Sequence, residues 1–382
     1  MYLHQLTFRE NEGKKIEWLI DKVSLGKINL MVGKNSSGKT RTLNALTDLV
    51  NMICGRGGPS GVHGRYHVVF RDGNDELVYQ VEYDRHTISS ENLHLNDELL
   101  LERGEGGKGR IKYMATPGQI FLDFEIPFDR LAANAKRDRL QHPFIEQMHT
   151  WASSLRRFDF SGDLGKNSYA MKAVFDEKEV DLSTTRSSLV PLLYVAMETI
   201  SAFRETVISD MRAIGYQIED IGIMHYSERY GNSDSDRYAV YTTETGLEKQ
   251  VSQHDMSQGM FRAFSVLVHM NYHIAKGEKG CMIIDDIGEG LDFTRARQLV
   301  NLLVEKAEKA GLQLIMSTND SFIMNAVDIK HWAIIQRDGN KISLFNYENS
   351  KEIFEEFKFT GLNNFDFYAS EFFKSGFSGD DE

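Results

Sequence analysis

Residues 33–40 constrain this chain more than any other stretch. They read Gly-Lys-Asn-Ser-Ser-Gly-Lys-Thr and match every fixed position of G-x-x-x-x-G-K-[S/T], the loop that wraps nucleotide phosphates. A short apolar run at 28–32 precedes them, and apolar side chains at helical spacing follow over 39–52. A chance match, the alternative reading, is expected in roughly one chain of this length in a hundred. Because the flanking strand and helix are the context that the loop requires, we predict nucleotide binding.

The residue types in this loop predict separate roles in binding ATP and Mg²⁺. Backbone N–H groups of the loop and the N-terminus of the following helix attract phosphate. Lys39 is expected to reach the β- and γ-phosphates, and Thr40 to hold the metal ion. The predicted nucleotide-binding residues are Gly33, Lys34, Asn35, Ser36, Ser37, Gly38, Lys39, Thr40 and Arg41.

A second feature is an apolar run that ends in two carboxylates. Residues 281–284 predict a buried strand, and Asp285 and Asp286 follow directly. Open α/β sheets bind ligands at the carboxyl ends of their strands, so Asp285 is predicted as a metal ligand and Asp286 as the group that orients water. A solvated turn is the alternative reading of two adjacent acids.

Composition restricts the partners and the compartment. The 382 residues carry a formal charge of −12, which argues against broad nucleic-acid affinity but leaves room for a local basic patch. Two cysteines give no disulfide framework and fit a reducing cytosol. No run of about 20 apolar residues exists, so we expect a cytoplasmic protein without a membrane partner.

The remaining patterns predict secondary structure between the two motifs. Turn residues at 72–75 predict a β-hairpin within 67–101, and 103–110 is expected to be a mobile loop. Residues 128–158 are predicted to be helical, and 187–215 to form one long helix. A polar loop is predicted at 227–236. The 128–158 segment carries a set of basic side chains that could form a nucleic-acid patch or, as we favour, a solvated helix face: Arg130, Lys136, Arg137, Arg139, Arg156 and Arg157.

Taken together, the motifs resemble those of ABC-type ATPases in the SMC-like and RecF-like branch. Residues 33–40 resemble that group's G-x-N-x-x-G-K-[S/T] loop, 255–260 its signature motif, 281–286 its Walker B strand, and 290–292 its D-loop. Their order is that of the family, and 28 residues separate Ser257 from Asp285. Residues 55–250 are matched only as the variable insertion that such proteins carry.

The resemblance implies a fold and an assembly. The fold would be α/β, a P-loop NTPase of the ABC-type ATPase-head class with an inserted β-rich and helical region. The division would be 1–54 and 251–346 for the two parts of the ATPase core, 55–250 for the insertion, and 347–382 for an acidic aromatic tail. Two copies would close around ATP as a homodimer or higher oligomer, with Ser257, Gln258 and Gly259 of one copy capping nucleotide held by the other.

The chain departs from the family at two catalytic positions. Asp286 stands where the family has glutamate, and its side chain is one methylene shorter. Asn319 stands where the family has its switch histidine, and it carries no positive charge. The implied catalytic residues are therefore Asp286, Lys39 and Asn319, and slow turnover is expected.

The finer resemblance is to small AAA-type ATPases of bacterial anti-phage and mobile-element systems. Only a short tail follows residue 346, so a nuclease or other effector is expected to be a separate protein. Two alternatives remain open from the sequence. One is a DNA-binding repair ATPase of the SMC or RecF kind, and the other is a nucleotide-gated scaffold with negligible hydrolysis.

Overall fold

The computed structural model describes residues 1–59, 62–116, 118, 120–171, 180, 184–225 and 236–377. Two compact units can be distinguished by their internal contacts. The first comprises Met1–Leu155 together with Asp328–Glu382, and the second comprises Arg156–Val327.

Both units of the described chain contain strands and helices. The strands are β1 Tyr2–Glu10, β2 Trp18–Ser24, β3 Ile28–Val32, β4 Gly64–Asp72, β5 Asp75–Asp84, β6 Thr87–Leu95, β7 Glu98–Arg103, β8 Lys108–Tyr113, β9 Ile120–Glu125, β10 Arg156–Asp159, β11 Ala170–Met171, β12 Ile218–His225, β13 Arg237–Glu244, β14 Val251–Ser252, β15 Cys281–Asp285, β16 Gln313–Thr318, β17 Trp332–Asp338 and β18 Lys341–Asn346. The helices are α1 Lys39–Ile53, α2 Ala132–Ala135, α3 Pro143–Ser154, α4 Thr185–Thr199, α5 Phe203–Ala213, α6 Gln258–Ala275, α7 Phe293–Ala310, α8 Ser321–Ala326, α9 Lys351–Phe357 and α10 Asn364–Ala369. Single 3₁₀ turns lie at Glu105–Gly107, Ile329–His331 and Phe372–Lys374.

The first unit is built on a mixed sheet that presents the phosphate loop. Its strand order is β3-β17-β18-β2-β1-β4-β5-β6-β7-β8-β9. Strand β17 lies parallel to β3, and β18 lies parallel to β2, whereas the other neighbours are antiparallel. All five residues of β3 are buried, as an apolar run without alternation predicts. The loop at 33–40 therefore leaves a rigid, fully covered strand.

The predicted hairpin is the start of a longer meander. Strands β4 and β5 pair around the turn at 72–75, and the antiparallel series continues through β9. The expectation of a mobile loop at 103–110 was wrong, because a 3₁₀ turn and the first residues of β8 occupy most of it. A side chain cannot replace the hydrogen at Gly107, where a Cβ would lie 2.0 Å from the carbonyl oxygen of Ile126.

A buried carboxylate holds α2 onto this meander. Glu91 is 0% exposed and accepts hydrogen bonds from the backbone N–H groups of Ala132 and Ala133 at 2.6 and 2.8 Å. The hydroxyl of Tyr79 donates to the same carboxylate at 2.8 Å, and the guanidinium of Arg103 lies 3.7 Å away. A charge buried this deeply is tolerated because it is paired and hydrogen-bonded.

The second unit contains a parallel sheet and a smaller antiparallel one. Strands β10, β15 and β16 lie side by side in parallel, with Asp159 opposite Asp285 in the register. Strands β11, β13 and β12 form the smaller sheet, and β14 pairs with β13. Because the three parallel strands end at one edge, the polar residues that follow them are gathered there.

The helix predicted over 128–158 was only partly correct. Within this range the structure has the single turn α2, the helix α3 and the strand β10. The six basic side chains therefore share no single helix face. Arg137 pairs with Glu146 at 2.9 Å, and Arg156 is 4% exposed on β10. Neither the solvated helix face that we favoured nor the alternative nucleic-acid patch on one helix is formed, because the segment is divided among three elements.

The long helix predicted over 187–215 is two helices. Helix α4 ends at Thr199 and α5 begins at Phe203, with Ala202 between them at a left-handed φ of +56°. The apolar periodicity continues across this break, which is why the sequence suggested one element. The polar loop predicted at 227–236 lies outside the described residues except for Asp236.

The tail contains ordered structure over 351–374. Aromatic rings from α9, α10 and the last 3₁₀ turn pack together. The ring centroid of Phe367 lies 4.7 Å from that of Phe354, edge to face, and 4.8 Å from that of Phe357, in a tilted arrangement. Trp332 of β17 lies 6.3 Å from Phe367. The tail is thus attached to the first unit by aromatic packing. Residues 378–382 lie outside the described part.

We expect the stability of the second unit to fall in mild acid because of His269. This ring is 1% exposed on α6, lies 2.9 Å from the hydroxyl of Ser188, and its burial lowers its pKa from 6.5 to about 3. The unfolded chain therefore takes up a proton first as the pH falls below 6.5, and the free energy of unfolding should drop by about 2 kcal/mol at pH 5. Urea unfolding at pH 7 and pH 5 measures this drop.

The matched comparison is His269→Gln, which removes the titrating group. Its free energy of unfolding should change less between the two pH values than that of the parent chain. Equal pH dependence in the parent chain and in His269→Gln would contradict the assignment.

Candidate functional site

The phosphate loop has the left-handed backbone that its glycine pattern predicts. Gly38 has φ +102° and Ser36 has φ +64°. A Cβ at Gly38 would lie 2.3 Å from Cδ1 of Ile342, so space as well as conformation requires glycine there. Gly33 is equally restricted, since its Cβ would lie 2.5 Å from the hydroxyl oxygen of Ser37. The loop is therefore held in one shape by backbone and packing together.

Lys39 and Ser37 have the environment expected of a phosphate site. The ammonium of Lys39 donates to the carbonyl oxygens of Gly33 and Lys34, at 2.6 and 3.2 Å. The hydroxyl of Ser37 is buried and has no hydrogen-bond partner among the described residues. A buried polar atom without a partner is costly, and a phosphate oxygen in the loop would satisfy it. The residues present therefore fit a nucleotide.

The other predicted residues of the loop are accessible. Lys34, Asn35, Ser36, Thr40 and Arg41 are all exposed. Arg41 lies with its guanidinium carbon 3.9 Å from the ring centroid of Trp18 and pairs with Glu10. Thr40 stands at the first turn of α1.

A cavity of about 350 Å³ lies beside the loop in the same unit. Its lining combines the loop residues 34–37, the end of β17 and the tail residues Tyr368, Glu371 and Phe373. The ammonium of Lys34 lies 3.7 Å from the carboxylate of Glu371. The tail thus forms one wall beside the loop.

In the second unit, Asp285 is a buried carboxylate at the end of β15. It is 2% exposed, and both of its oxygens are engaged. The hydroxyl of Ser317 donates to Oδ1, and the guanidinium of Arg157 donates to Oδ2 at 3.3 Å. The hydroxyl oxygen of Ser317 also accepts from the backbone N–H of Asp286 at 2.9 Å, and Asp286 has a left-handed φ of +56°.

The donor set around Asp285 fits Mg²⁺ that arrives with a nucleotide. Among the residues that the structure describes, no group of three or more His, Cys, Asp or Glu side chains could hold a metal by itself. Magnesium at phosphate sites is typically bound by one or two carboxylates, water and substrate phosphates. A single buried carboxylate is consistent with that mode.

The signature residues begin helix α6. Ser257 is the N-cap, and its hydroxyl oxygen accepts from the backbone N–H of Met260 at 3.2 Å. Ser257 and Gln258 are exposed, whereas Gly259 is buried. A Cβ at Gly259 would lie 2.3 Å from the carbonyl oxygen of Gly290 in the segment that resembles a D-loop. The signature turn and that segment are therefore packed backbone to backbone.

Arg262 connects the same elements. Its guanidinium donates to the carbonyl oxygens of Glu289 at 2.8 Å and Gly162 at 2.9 Å. A Cβ at Gly290, which has φ +78°, would lie 2.4 Å from this guanidinium. Burial lowers the pKa of Arg262, yet an arginine remains charged at neutral pH. Arg262 thus joins the signature helix to the residues that follow β10 and β15.

The structure brings the second-unit residues together in two groups. Asp285 and Asp286 are linked through Ser317, and Ser257, Gln258 and Gly259 form one helix start beside 290–292. Asn319 follows β16 and is exposed. The loop residues 33–41 lie in the first unit. The predicted roles of all these residues remain predictions.

Sequence reasoning missed three side chains at these sites, namely Ser317, Arg157 and Arg262. Ser317 could have been suspected because it lies at the end of the strand that follows the carboxylates. Arg157 was assigned to a helix, although the alternation of Phe158 and Phe160 with polar residues was a weak strand signal. Arg262 had no local signal, because its partners are distant in the chain.

We expect Ser317→Ala to destabilise the second unit by about 1–3 kcal/mol, because it leaves a buried carboxylate oxygen and the N–H of Asp286 without their partner. Thermal or urea unfolding of the parent chain and of Ser317→Ala measures this loss of stability. The control is Ser161→Ala, which removes a hydroxyl that bonds to Asp159 at 2.6 Å in an exposed turn. Equal stability of the two variants would mean that Ser317 does not support the Asp285 site.

Sequence comparison with known proteins gives one family. A family model described as "AAA domain, putative AbiEii toxin, Type IV TA system" matches residues 28–325. No sequence among curated proteins matches the chain. No helix among the described residues is both long and apolar enough to cross a membrane.

Solved structures give the fold. An SMC head bound to the C-terminal winged-helix domain of ScpA has a TM-score of 0.54 at 13% identity, covering 92% of this chain and all of that one. An SMC head with an extended coiled coil, bound to the C-terminal domain of ScpA and derived from Pyrococcus furiosus, has a TM-score of 0.53 at 13% identity, covering 94% and 99%. These likenesses confirm the predicted fold class, a P-loop NTPase of the ABC-type ATPase-head kind.

Proposed function

The chain belongs to the AAA-domain family whose description names AbiEii toxins and type IV toxin–antitoxin systems, and on that premise we propose that it hydrolyses ATP slowly as a dimer and controls a separate effector. The anti-phage role is the most specific part of this proposal. We also keep the division into core segments 1–54 and 251–346, insertion 55–250 and tail 347–382 as part of it.

The observation that best supports ATP binding is the shape of the phosphate loop. Left-handed Ser36 and Gly38, the buried hydroxyl of Ser37 and the inward ammonium of Lys39 together form a phosphate cradle at the start of α1. In the proposal, Lys39 and the loop N–H groups bind the phosphates, and Thr40 and Asp285 hold Mg²⁺. The metal would polarise the phosphoryl group.

The remaining residues have proposed roles in hydrolysis and assembly. Asp286 would accept a hydrogen bond from the attacking water, and Asn319 would donate to the transferred phosphoryl group. Ser257, Gln258 and Gly259 would cap ATP that is bound to a second copy. The position of these three residues at a helix N-terminus supports this role, because such an end attracts anions.

The proposal of a partner protein draws on two sources. The family description names type IV toxin–antitoxin systems, and both SMC heads were solved with part of ScpA bound. The DNA-binding alternative relied on a basic helix face over 128–158, which that segment does not form. The scaffold alternative is favoured by one observation, namely that Asp286 and Asn319 replace the family's glutamate and histidine.

We expect phosphate release that rises in specific activity with protein concentration, because the active site would need residues of two copies. Lys39→Ala should reduce steady-state release to background. The matched control is Lys27→Ala, which changes an exposed lysine on the turn before β3. Nucleotide binding without any release, at every concentration, would favour the scaffold alternative over a hydrolase.

A complementation experiment tests the shared site directly. Lys39→Ala and Ser257→Arg should each be inactive alone, the first in the loop and the second in the signature. Mixed in equal amounts, they should regain up to about a quarter of the parent activity, because half of random dimers contain one intact loop facing one intact signature.

The control mixture combines Lys39→Ala with Thr40→Ala, two variants of the loop. It should regain no activity, because neither copy brings an intact loop. Two results would contradict the proposal of a head-to-tail dimer. One is that Ser257→Arg stays fully active alone. The other is that the first mixture stays inactive although both variants are folded and Ser257→Arg binds nucleotide.

A further inference from the structure

Arg157 is not used by the proposed function, yet it touches the central carboxylate. Its guanidinium lies 3.3 Å from Oδ2 of Asp285, the residue proposed to hold Mg²⁺. The guanidinium side chain is 20% exposed, and the carboxylate side chain is 3% exposed. An arginine is charged at every physiological pH, so this contact is an ion pair.

Strand pairing fixes the position of Arg157. Strand β10 lies parallel to β15, with Arg157 opposite Ile283 and therefore two residues before the level of Asp285. The hydroxyl of Thr185 donates to the carbonyl oxygen of Arg157 at 2.6 Å, and the N–H of Phe160 donates to the carbonyl oxygen of Asp285 at 3.0 Å. The backbone at Arg157 and after it is thus held by hydrogen bonds, whereas the guanidinium of Arg157 extends along the strand to the carboxylate of Asp285.

The two partners of Asp285 differ in what a metal would do to them. Ser317 is neutral and binds Oδ1, so it can orient the carboxylate whether or not a cation is present. Arg157 is a cation on Oδ2, the oxygen that Ser317 leaves open. A divalent ion bound at Oδ2 would meet a positive charge at close range, and like charges repel strongly away from water.

We infer that Arg157 and a divalent metal ion compete for Oδ2 of Asp285, which makes Arg157 a positioning residue that holds the carboxylate until a metal–nucleotide complex arrives. This inference rests on the proposed function, because it takes Asp285 to be a metal ligand. The guanidinium of Arg157 is a planar donor group of the kind that binds phosphate oxygens. The exchange therefore couples metal arrival to a change in the contact between Arg157 and Asp285.

The test measures how strongly the metal and the nucleotide help each other to bind. The probe is a fluorescently labelled, non-hydrolysable ATP analogue, and its dissociation constant is measured in EDTA and in Mg²⁺. The ratio of the two constants is the metal coupling, which is reciprocal between the two ligands. A purely structural role for Arg157 would change the melting temperature or both constants alike, and would leave this ratio unchanged.

Removal of the competing charge should raise the ratio. We expect Arg157→Gln to increase it about tenfold, within the range usual for coupled sites, and Arg157→Lys, which keeps the charge, to give a smaller increase. Asp285→Asn should bring the ratio close to one. Arg204→Gln is the matched control, since it breaks a 3.1 Å ion pair with Asp220 in the same unit and should leave the ratio unchanged.

The outcomes separate the inference from the function on which it rests. A ratio near one in the parent chain, unchanged by Asp285→Asn, would remove the metal role of Asp285 from the proposed function and would overturn the inference that rests on it. A ratio that falls in Asp285→Asn but is unchanged or lower in Arg157→Gln would leave the proposed metal site standing and overturn the competition. If Arg157→Gln does not fold, Arg157→Met, which also removes the charge, takes its place with the same expected increase.

Discussion

The second unit depends on how the charge of Asp285 is accommodated at the end of a fully buried strand. A carboxylate that is 2% exposed must be paired or hydrogen-bonded. The neighbouring strands supply one donor each, Ser317 from β16 and Arg157 from β10. The three parallel strands are therefore joined through one side chain as well as through their backbones. The carboxylate that we propose as a metal ligand is thus also part of what holds this sheet edge together.

The phosphate loop was predictable because its constraints are local. Gly38 needs a left-handed backbone, and a Cβ at Gly33 would meet the side chain of Ser37 four residues on. Both requirements arise within residues 33–40, whereas the contact of Gly38 with Ile342 could not be read from this pattern. The fold class was predictable for the same reason, since an apolar strand, a glycine loop and a helix with an apolar face each follow from neighbouring residues.

The parts that sequence reasoning missed depend on contacts between distant residues. Arg157 and Asp285 are 128 positions apart, and the spacing of apolar residues does not predict a contact between side chains so distant in the chain. Strand β10 has only four residues, so its pattern was absorbed into the predicted helix over 128–158. The break between α4 and α5 near Ala202 could likewise not be predicted, because the helical spacing of apolar residues continues across it. In each case tertiary packing decided between local conformations that the sequence allows.

The scaffold alternative and the proposed hydrolase require different properties of the same residues. The packing around Arg262 is relevant to both. Its guanidinium binds the carbonyls of Glu289 and Gly162, so the signature helix is tied to the segments after β15 and β10. Gly259 packs against Gly290 without space for one methyl group. The start of the signature helix is therefore packed directly against the backbone that follows Asp285. A nucleotide-gated scaffold would use this packing without hydrolysis, whereas hydrolysis would additionally require the short side chain of Asp286 to reach a water molecule.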